Sequence, residues 1–157
     1  MNIFATFTSP VDSALYLQDD FKRLNKIILE SAQLICTAGH VTNQRGEIPY
    51  KKTHENHPCS IWTCESRKNA EWLLSHFLTL CSLFEEQRGK KHKCELLFEI
   101  LKNIVNKLPN GKQTPFVNCT DFKDIEDVHE AYRLHLAKKW EQDRLKAKLK
   151  TTIKWKK

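Results

Sequence analysis

Apolar residues return at the three- and four-residue spacing of an α-helix along most of the chain, and this spacing limits the fold more than any other feature. The clearest stretch follows Asp19 and Asp20, which can cap a first turn, and continues to Gly39. Its buried face is predicted to contain Leu24, Ile27, Ile28, Ser31, Leu34, Ile35 and Ala38. Only four glycines interrupt 157 residues, so few sharp turns are available. The sequence therefore predicts a mainly α fold, as one compact multi-helix domain.

Capping residues divide the rest of the chain into further helices. Ser9 and Pro10 predict a short helix after an extended segment at residues 3–7, and Pro58 predicts another helical start. The later predicted helices run from Asn69 to Arg88, closed by Gly89, from His92 to Leu108, and onward from Val128. Between Gly39 and His57 the chain is polar and lacks helical spacing, which predicts a long loop.

The last helix changes character near its middle. Val128, Tyr132, Leu136 and Trp140 share one helix face, whereas the apolar residues after Trp140 are out of phase with that face. We therefore predict a helical domain at residues 1–142 and a basic C-terminal helical extension at residues 143–157.

Positive charge is concentrated at the C-terminal end. Residues 133–157 contain ten lysines or arginines against Glu141 and Asp143, a net +8, so the rest of the chain carries about −1 of the overall +7. A block of this kind favours a polyanionic partner, DNA first, because neutralised phosphates release counterions. The alternative is a solvated helix end that keeps the protein in solution.

We do not expect the six cysteines to form a disulfide framework. Residues 1–18 lack the basic start and apolar run of a signal peptide, and several cysteines lie on apolar helix faces. There is also no run of 18 apolar residues. We expect a protein of the cytoplasm, that of the host cell if the source is viral, without a membrane partner.

Glu30 is the first candidate for chemistry. On a helical wheel it lies about 100° from the centre of the apolar face, beside Arg23, Lys26 and Gln33. One interpretation is an ordinary surface pair between Lys26 and Glu30. The other is a carboxylate held beside cations, which suits the stabilisation of positive charge on a ribose ring.

A second candidate cluster lies in the polar loop and the helix start that follows it. It combines cations, imidazoles, an amide and an indole, a mixture that can hold phosphates and a base: Tyr50-Lys51-Lys52-Thr53-His54-Glu55-Asn56-His57-Pro58-Cys59, then Trp62, Glu65, Ser66 and Asn69. His54, His57, Cys59 and Cys64 could instead form a zinc site, although their spacing matches no paired ligand pattern. We expect no metal ion and no cofactor.

Aromatic residues and missing motifs narrow the function further. Trp62, Trp72 and His76 could stack on bases, but aromatic residues at helical spacing are more often core. The sequence contains no phosphate loop, dinucleotide fingerprint or GxSxG elbow. Their absence excludes, in that order, the common nucleotide triphosphatases, the common dehydrogenases and the hydrolases that carry a GxSxG serine.

Three parts of the sequence together resemble a family of small bacteriophage proteins, over about residues 1–93. They are Lys26-Ile27-Ile28-Leu29-Glu30-Ser31-Ala32-Gln33-Leu34, the loop cluster, and Arg88-Gly89-Lys90-Lys91-His92-Lys93. The pattern is also similar, remotely, to the endonuclease V type pyrimidine dimer DNA glycosylases. Those small helical enzymes have a glutamate on a helix, an Asn-His-Pro segment in some members and an Arg-Gly helix end, here Glu30, Asn56-His57-Pro58 and Arg88-Gly89.

The resemblance implies base flipping, attack of an amine on C1′ of the sugar, and an imine intermediate. Glu30 would stabilise the cationic sugar and assist elimination, and His57 would position the substrate. Asn2 is too large for routine removal of the first methionine, so the amine would be that of Met1. Residues expected to contact nucleic acid are Lys22, Arg23, Lys26, Lys51, Lys52, Asn56, Arg88, Lys90, Lys91 and Lys93.

The leading hypothesis is thus a phage DNA glycosylase, with lyase activity where the imine forms. Two alternatives stay open from the residues alone. One is a non-catalytic module that binds nucleic acid or a host protein, for which the basic end and the helices suffice. The other is a hydrolase of a free nucleotide or nucleotide signal, whose phosphates the loop cations would hold.

Overall fold

The computed structural model describes residues 1–155, and the side chains of residues 1–148. Within that part the chain forms six α-helices, one short 3₁₀ helix and no strand, so the predicted mainly α class is confirmed. The helices are α1 (Pro10–Leu15), α2 (Phe21–Val41), α3 (Pro58–Glu65), α4 (Arg67–Arg88), α5 (Phe98–Asn106) and α6 (Val128–Trp155), with the 3₁₀ helix at Lys93–Leu97.

Local hydrogen bonds fix most helix ends at the predicted residues. The Ser9 side chain accepts a hydrogen bond from the amide of Asp12, and that of Asp20 accepts one from the amide of Arg23. Gly89 ends α4 in the left-handed conformation, with φ of 70°. These contacts satisfy backbone groups that the first and last turns of a helix leave unpaired.

The predicted end of α2 at Gly39 is wrong by two residues. Gly39 is a buried helical residue, and a Cβ at this position would lie 3.1 Å from Cγ2 of Ile104 and 3.2 Å from Cδ1 of Ile48. Because Gly39 has no side chain, α5 and the loop that follows α2 can both approach α2 closely. Glycine here serves packing rather than helix termination.

The amino-terminal segment lies inside the helical assembly. Ile3 and Ala5 are fully buried, while α4 packs against α1, α2, α3 and α5 around them. Phe4 has a positive φ of 43°, so residues 3–7 do not form the continuous extended segment that we expected. This buried irregular backbone fixes the position of the chain's first residue.

Helix α6 follows an irregular segment, residues 107–127, and covers the amino-terminal segment. Tyr132 and Leu136 are fully buried, Trp140 is half-buried, and residues 141–148 are exposed. Burial along α6 therefore ends near Trp140 within the described side chains. The side chains of residues 149–157, which carry much of the predicted basic extension, lie outside the described part.

None of the helices in the described residues is both long enough and apolar enough to cross a membrane.

Candidate active site at the amino terminus

The amino group of Met1 lies beside the carboxylate of Glu30. The distance from Met1 N to Oε1 of Glu30 is 3.6 Å, and the two side chains are 5% and 11% exposed. Lys26, one helical turn before Glu30, places its Nζ 3.9 Å from the same oxygen. The expected surface pair is thus present, but Glu30 also faces a second amine, that of a residue whose side chain is buried.

Asn2 holds the backbone that carries this amine. Its Oδ1 accepts a hydrogen bond of 2.8 Å from the amide of Phe4, and its Nδ2 donates one of 3.2 Å to the carbonyl of Cys119. The first bond closes a local turn of the kind that Asn side chains favour. The second fastens the turn to the irregular segment before α6. The two hydrogen bonds of the Asn2 side chain therefore restrict the position of the adjacent Met1 amine.

The amine and the carboxylate open into a cavity of about 340 Å³, within the usual size range of ligand pockets. It is lined by Met1, Asn2, Phe4, Lys22, Arg23, Lys26, Ile27, Glu30, His135 and Lys139. Cationic side chains outnumber the single carboxylate of the lining, so the cavity suits an anionic ligand.

Arg23 is already paired with acidic residues. Its Nη1 donates to Oδ2 of Asp20 at 2.9 Å and to Oδ2 of Asp143 at 2.7 Å. The hydrogen bond with Asp143 is the main cause that raises the pKa of Arg23. Trp140 donates from Nε1 to Asp20 as well. The guanidinium of Arg23, bound by two carboxylates, is therefore less available to an anionic ligand than the amines of Lys22, Lys26 and Lys139.

Two lining residues from α6 were missing from the sequence prediction. His135 and Lys139 line the cavity, and Asp143 follows on the same helix face to reach Arg23. Burial is the largest cause that lowers the pKa of His135, followed by the charge of Lys139. The four-residue spacing of His135, Lys139 and Asp143 is the sequence signal for this stripe.

His57 lies at the helix start predicted from Pro58. Its Nδ1 accepts a hydrogen bond of 3.1 Å from the amide of Cys59, so the ring caps α3. Burial lowers the pKa of His57, the charges of the amino terminus and His54 lower it further, and Glu30 opposes them. The ring is thus electrostatically linked to Met1 and Glu30, although His57 does not line the cavity.

The predicted nucleic-acid contacts separate into two groups. Lys22, Arg23 and Lys26 line the cavity, whereas the other predicted contacts lie outside it on exposed surface: Lys51, Lys52, Asn56, Arg88, Lys90, Lys91 and Lys93. The guanidinium carbon of Arg88 lies 3.8 Å from the ring centre of Phe21, and His92 contacts Asn25. The turn after α4 is therefore attached to the first turns of α2.

The aromatic residues proposed for base stacking belong to the core. Trp62, Trp72 and His76 are 2%, 5% and 0% exposed, and Trp62 stacks on Phe116. The core interpretation of these rings is confirmed.

The alternative zinc set is not assembled as proposed. Donor atoms of His57 and Cys59 lie within 4.8 Å of one another and of the thiol of Cys119, a residue far away in sequence. His54 and Cys64 do not belong to this group.

No protein-family model, curated protein or solved structure matches the chain.

Proposed function

We propose that the protein is a DNA glycosylase-like phage enzyme that cleaves a base from its sugar, with the amine of Met1 as nucleophile. One observation carries this proposal: a primary amine lies 3.6 Å from a nearly buried carboxylate, in the lining of a cavity that also contains three lysines and one arginine. An amine close to a general base is the arrangement that nucleophilic catalysis at a sugar carbon requires.

Each group has a defined part in the reaction. The Met1 amine attacks C1′ as the bond from C1′ to the base breaks, and the base leaves with that electron pair and takes a proton from water. Glu30 takes the proton that the attacking nitrogen loses and stabilises the positive charge that develops on the sugar. The ring oxygen then leaves C1′ and takes the proton held by Glu30, which gives a protonated imine between Met1 and the opened sugar and restores the carboxylate.

The imine also provides a route to strand cleavage. It makes the C2′ proton more acidic, and the carboxylate of Glu30 can remove that proton while the 3′ phosphate leaves. The lysines of the rim, Lys22, Lys26 and Lys139, would hold the phosphates on either side of the flipped nucleotide. We further propose that the exposed basic face of α6 extends this contact along DNA, in the cytoplasm of the host cell.

Trapping with borohydride tests the nucleophile. The protein is incubated with a duplex that contains one abasic site, the imine is reduced, and the adduct is located by peptide mass spectrometry. We expect the adduct on the amine of Met1, in protein whose first residue is confirmed by intact mass. An adduct on Lys22 or Lys26, or none, contradicts the proposal. A Gly-Ser extension before Met1 should abolish the adduct.

Glu30→Gln tests the carboxylate. We expect base release from duplexes carrying single damaged or modified bases to fall by about 10²- to 10⁴-fold, since a positioned acid or base contributes that much. Glu86→Gln, on the exposed surface of α4, is the matched control and should leave the rate unchanged. Equal rates for Glu30→Gln and the unaltered protein would exclude an enzymatic role of this carboxylate. Binding without cleavage by any form would favour the non-catalytic module.

Salt dependence separates DNA from a free nucleotide. Duplex binding through many phosphates should weaken steeply as salt rises, whereas a small nucleotide held by one or two phosphates should show a shallow slope. A shallow slope for both ligands would favour the nucleotide hydrolase.

A further inference from the structure

The thiols of Cys59 and Cys119 lie in contact next to the amino terminus. Their sulfur atoms are 3.0 Å apart, although the two residues are 60 positions apart in sequence. Cys59 is buried in the first turn of α3, and Cys119 is half-buried in the irregular segment before α6. Closing a disulfide from this position requires about 1 Å of sulfur movement, because the bond is about 2.05 Å long.

A zinc ion fits this pair less well. Two thiolates on a tetrahedral zinc ion lie about 3.8 Å apart, since each bond is about 2.3 Å. His57 is also engaged, because its Nδ1 accepts the hydrogen bond from the amide of Cys59. With Nδ1 as acceptor, the neutral ring carries its proton on Nε2, and neither nitrogen is then free for a metal ion. The geometry favours a bond between the sulfurs.

We propose that Cys59 and Cys119 form a reversible redox pair, oxidised to a disulfide by a peroxide and reduced again by a thiol. In the reducing cytoplasm expected for this protein such a bond would be transient rather than structural. The pair is defined by the contact of two partly shielded sulfurs and does not rest on the proposed function.

The two thiols differ in the way that this chemistry needs. Cys119 is half-buried and Cys59 is buried, so a peroxide reaches the sulfur of Cys119 first. The contact with the Cys59 thiol, which can donate a hydrogen bond to Cys119, lowers the pKa of Cys119. The same hydrogen bond, together with burial, raises the pKa of Cys59. Cys119 therefore supplies the thiolate, and Cys59 supplies the resolving thiol.

The oxidation balances in two steps. The Cys119 thiolate attacks one oxygen of hydrogen peroxide, which gives a sulfenic acid and, after proton uptake, one water molecule. The Cys59 sulfur then attacks the sulfenic sulfur, loses its proton and expels a second water molecule as the disulfide forms. A dithiol such as dithiothreitol reverses the change by exchange.

Oxidation would also reach the candidate active site. The carbonyl of Cys119 accepts the hydrogen bond from Asn2, which holds the turn that carries the Met1 amine. Movement of residue 119 by about 1 Å would shift that turn, and a displacement of this size can cost about 100-fold in rate. This coupling, unlike the pair itself, rests on the proposed function.

Peptide mapping without reduction tests the pair. Reduced protein is treated with one equivalent of hydrogen peroxide, unfolded, alkylated and digested. We expect one cross-linked peptide joining Cys59 to Cys119, the other four cysteines alkylated, and loss of the cross-link after dithiothreitol. Oxidation spread over other cysteines, or no cross-link, overturns the proposal. So does one zinc ion per purified chain that is lost in both Cys59→Ser and Cys119→Ser.

Variants assign the roles of the two sulfurs. In Cys59→Ser given at least two equivalents of hydrogen peroxide, Cys119 should proceed to the sulfinic acid, whereas Cys119→Ser should leave Cys59 largely unoxidised. Cys64→Ser, which alters a half-buried thiol outside the pair, is the matched control and should form the cross-link normally. Borohydride trapping should slow at least severalfold in the oxidised protein. An unchanged trapping rate excludes the coupling, while no adduct in either form contradicts the proposed function and leaves the disulfide result standing.

Discussion

At the scale of single residues, several polar side chains join segments that are far apart in sequence. Asn2 fastens the first residues to the segment before α6, and His129 of α6 bonds through Nδ1 to the carbonyl of Ala5 at 2.7 Å. Arg133 donates to the carbonyl of Thr6 at 2.7 Å. These bonds satisfy the carbonyl groups of Ala5 and Thr6, which lie in irregular backbone and therefore have no partner in a helix or strand. Polar residues thus hold the amine at the carboxylate.

His76 makes a similar connection and predicts a pH dependence of stability. It is fully buried, its Nδ1 donates to the carbonyl of Pro10 at 3.1 Å, and burial lowers its pKa from 6.5 to about 4. The unfolded chain therefore binds a proton between pH 6.5 and 4 that the folded chain does not bind, so stability falls as the pH falls through this window.

His76→Gln should reduce this dependence. The free energy of unfolding between pH 7 and pH 4 should change less in the variant, by up to about 3 kcal/mol. Urea unfolding at both pH values measures the difference. Equal pH dependence in the two proteins would show that other groups cause the acid sensitivity.

His57 has two candidate roles that a pair of variants can separate. As the cap of α3 it should contribute about 1 kcal/mol, so His57→Ala should lower the free energy of unfolding by about that amount. His57→Asn keeps an acceptor that caps helices well and should restore most of the stability. If base release is as low in His57→Asn as in His57→Ala although stability is restored, the imidazole acts on the substrate site as predicted. Full recovery of base release would limit His57 to capping.

At the scale of secondary structure, the ion pair between Arg23 of α2 and Asp143 of α6 links the two helices that line the cavity. Asp143 is exposed, and Arg23 is its main cause of a lowered pKa. The pair's contribution to stability is therefore fully present above the ordinary pKa of an aspartate, and it is lost as the pH falls through the lowered pKa of Asp143. While it exists, it removes one cation from the rim.

Asp143→Asn should therefore strengthen duplex binding. Arg23 keeps its pair with Asp20 but loses its second carboxylate, so its guanidinium can make one phosphate contact, which steepens the slope of log binding constant against log salt by up to about 0.9. Glu86→Gln changes the net charge equally on the exposed surface of α4, outside the cavity lining and α6, so it is the matched control. Titrations at several salt concentrations measure both slopes. Equal slopes in the two variants would show that Arg23 does not contact the duplex.

The sequence predicted helices better than it predicted the site, and particular residues show why. Ser9, Asp20 and Gly89 act on their own neighbours, so their effect on helix ends can be read locally. Gly39 was misread because its role depends on Ile104, 65 positions later. Likewise, the spacing of His135 and Lys139 placed them on one helix face, but it could not show which cavity that face lines. The contact of Cys59 with Cys119 had no local signal at all.

At the scale of the whole molecule, α6 connects the cavity to the exposed residues that follow Trp140. Helix α6 contributes His135 and Lys139 to the cavity and continues into the exposed residues 141–148, which include Arg144, Lys146 and Lys148. The division proposed at residue 143 stays a prediction. Because Asp143 pairs with Arg23, a deletion that tests the extension without breaking this pair should begin two residues later.

Removing residues 145–157 should weaken DNA binding without unfolding the domain. The deletion takes away six lysines but keeps Asp143, Arg144 and the buried positions of α6. We expect a salt slope shallower by up to about 5, since each lost phosphate contact contributes about 0.9, and a nearly unchanged Tm. Replacing the same six lysines by glutamine in the full chain separates charge from helix length and should give the same slope. Loss of the folded state after deletion would show that the end of α6 belongs to the domain, and an unchanged slope would place the DNA contact on the cavity rim alone.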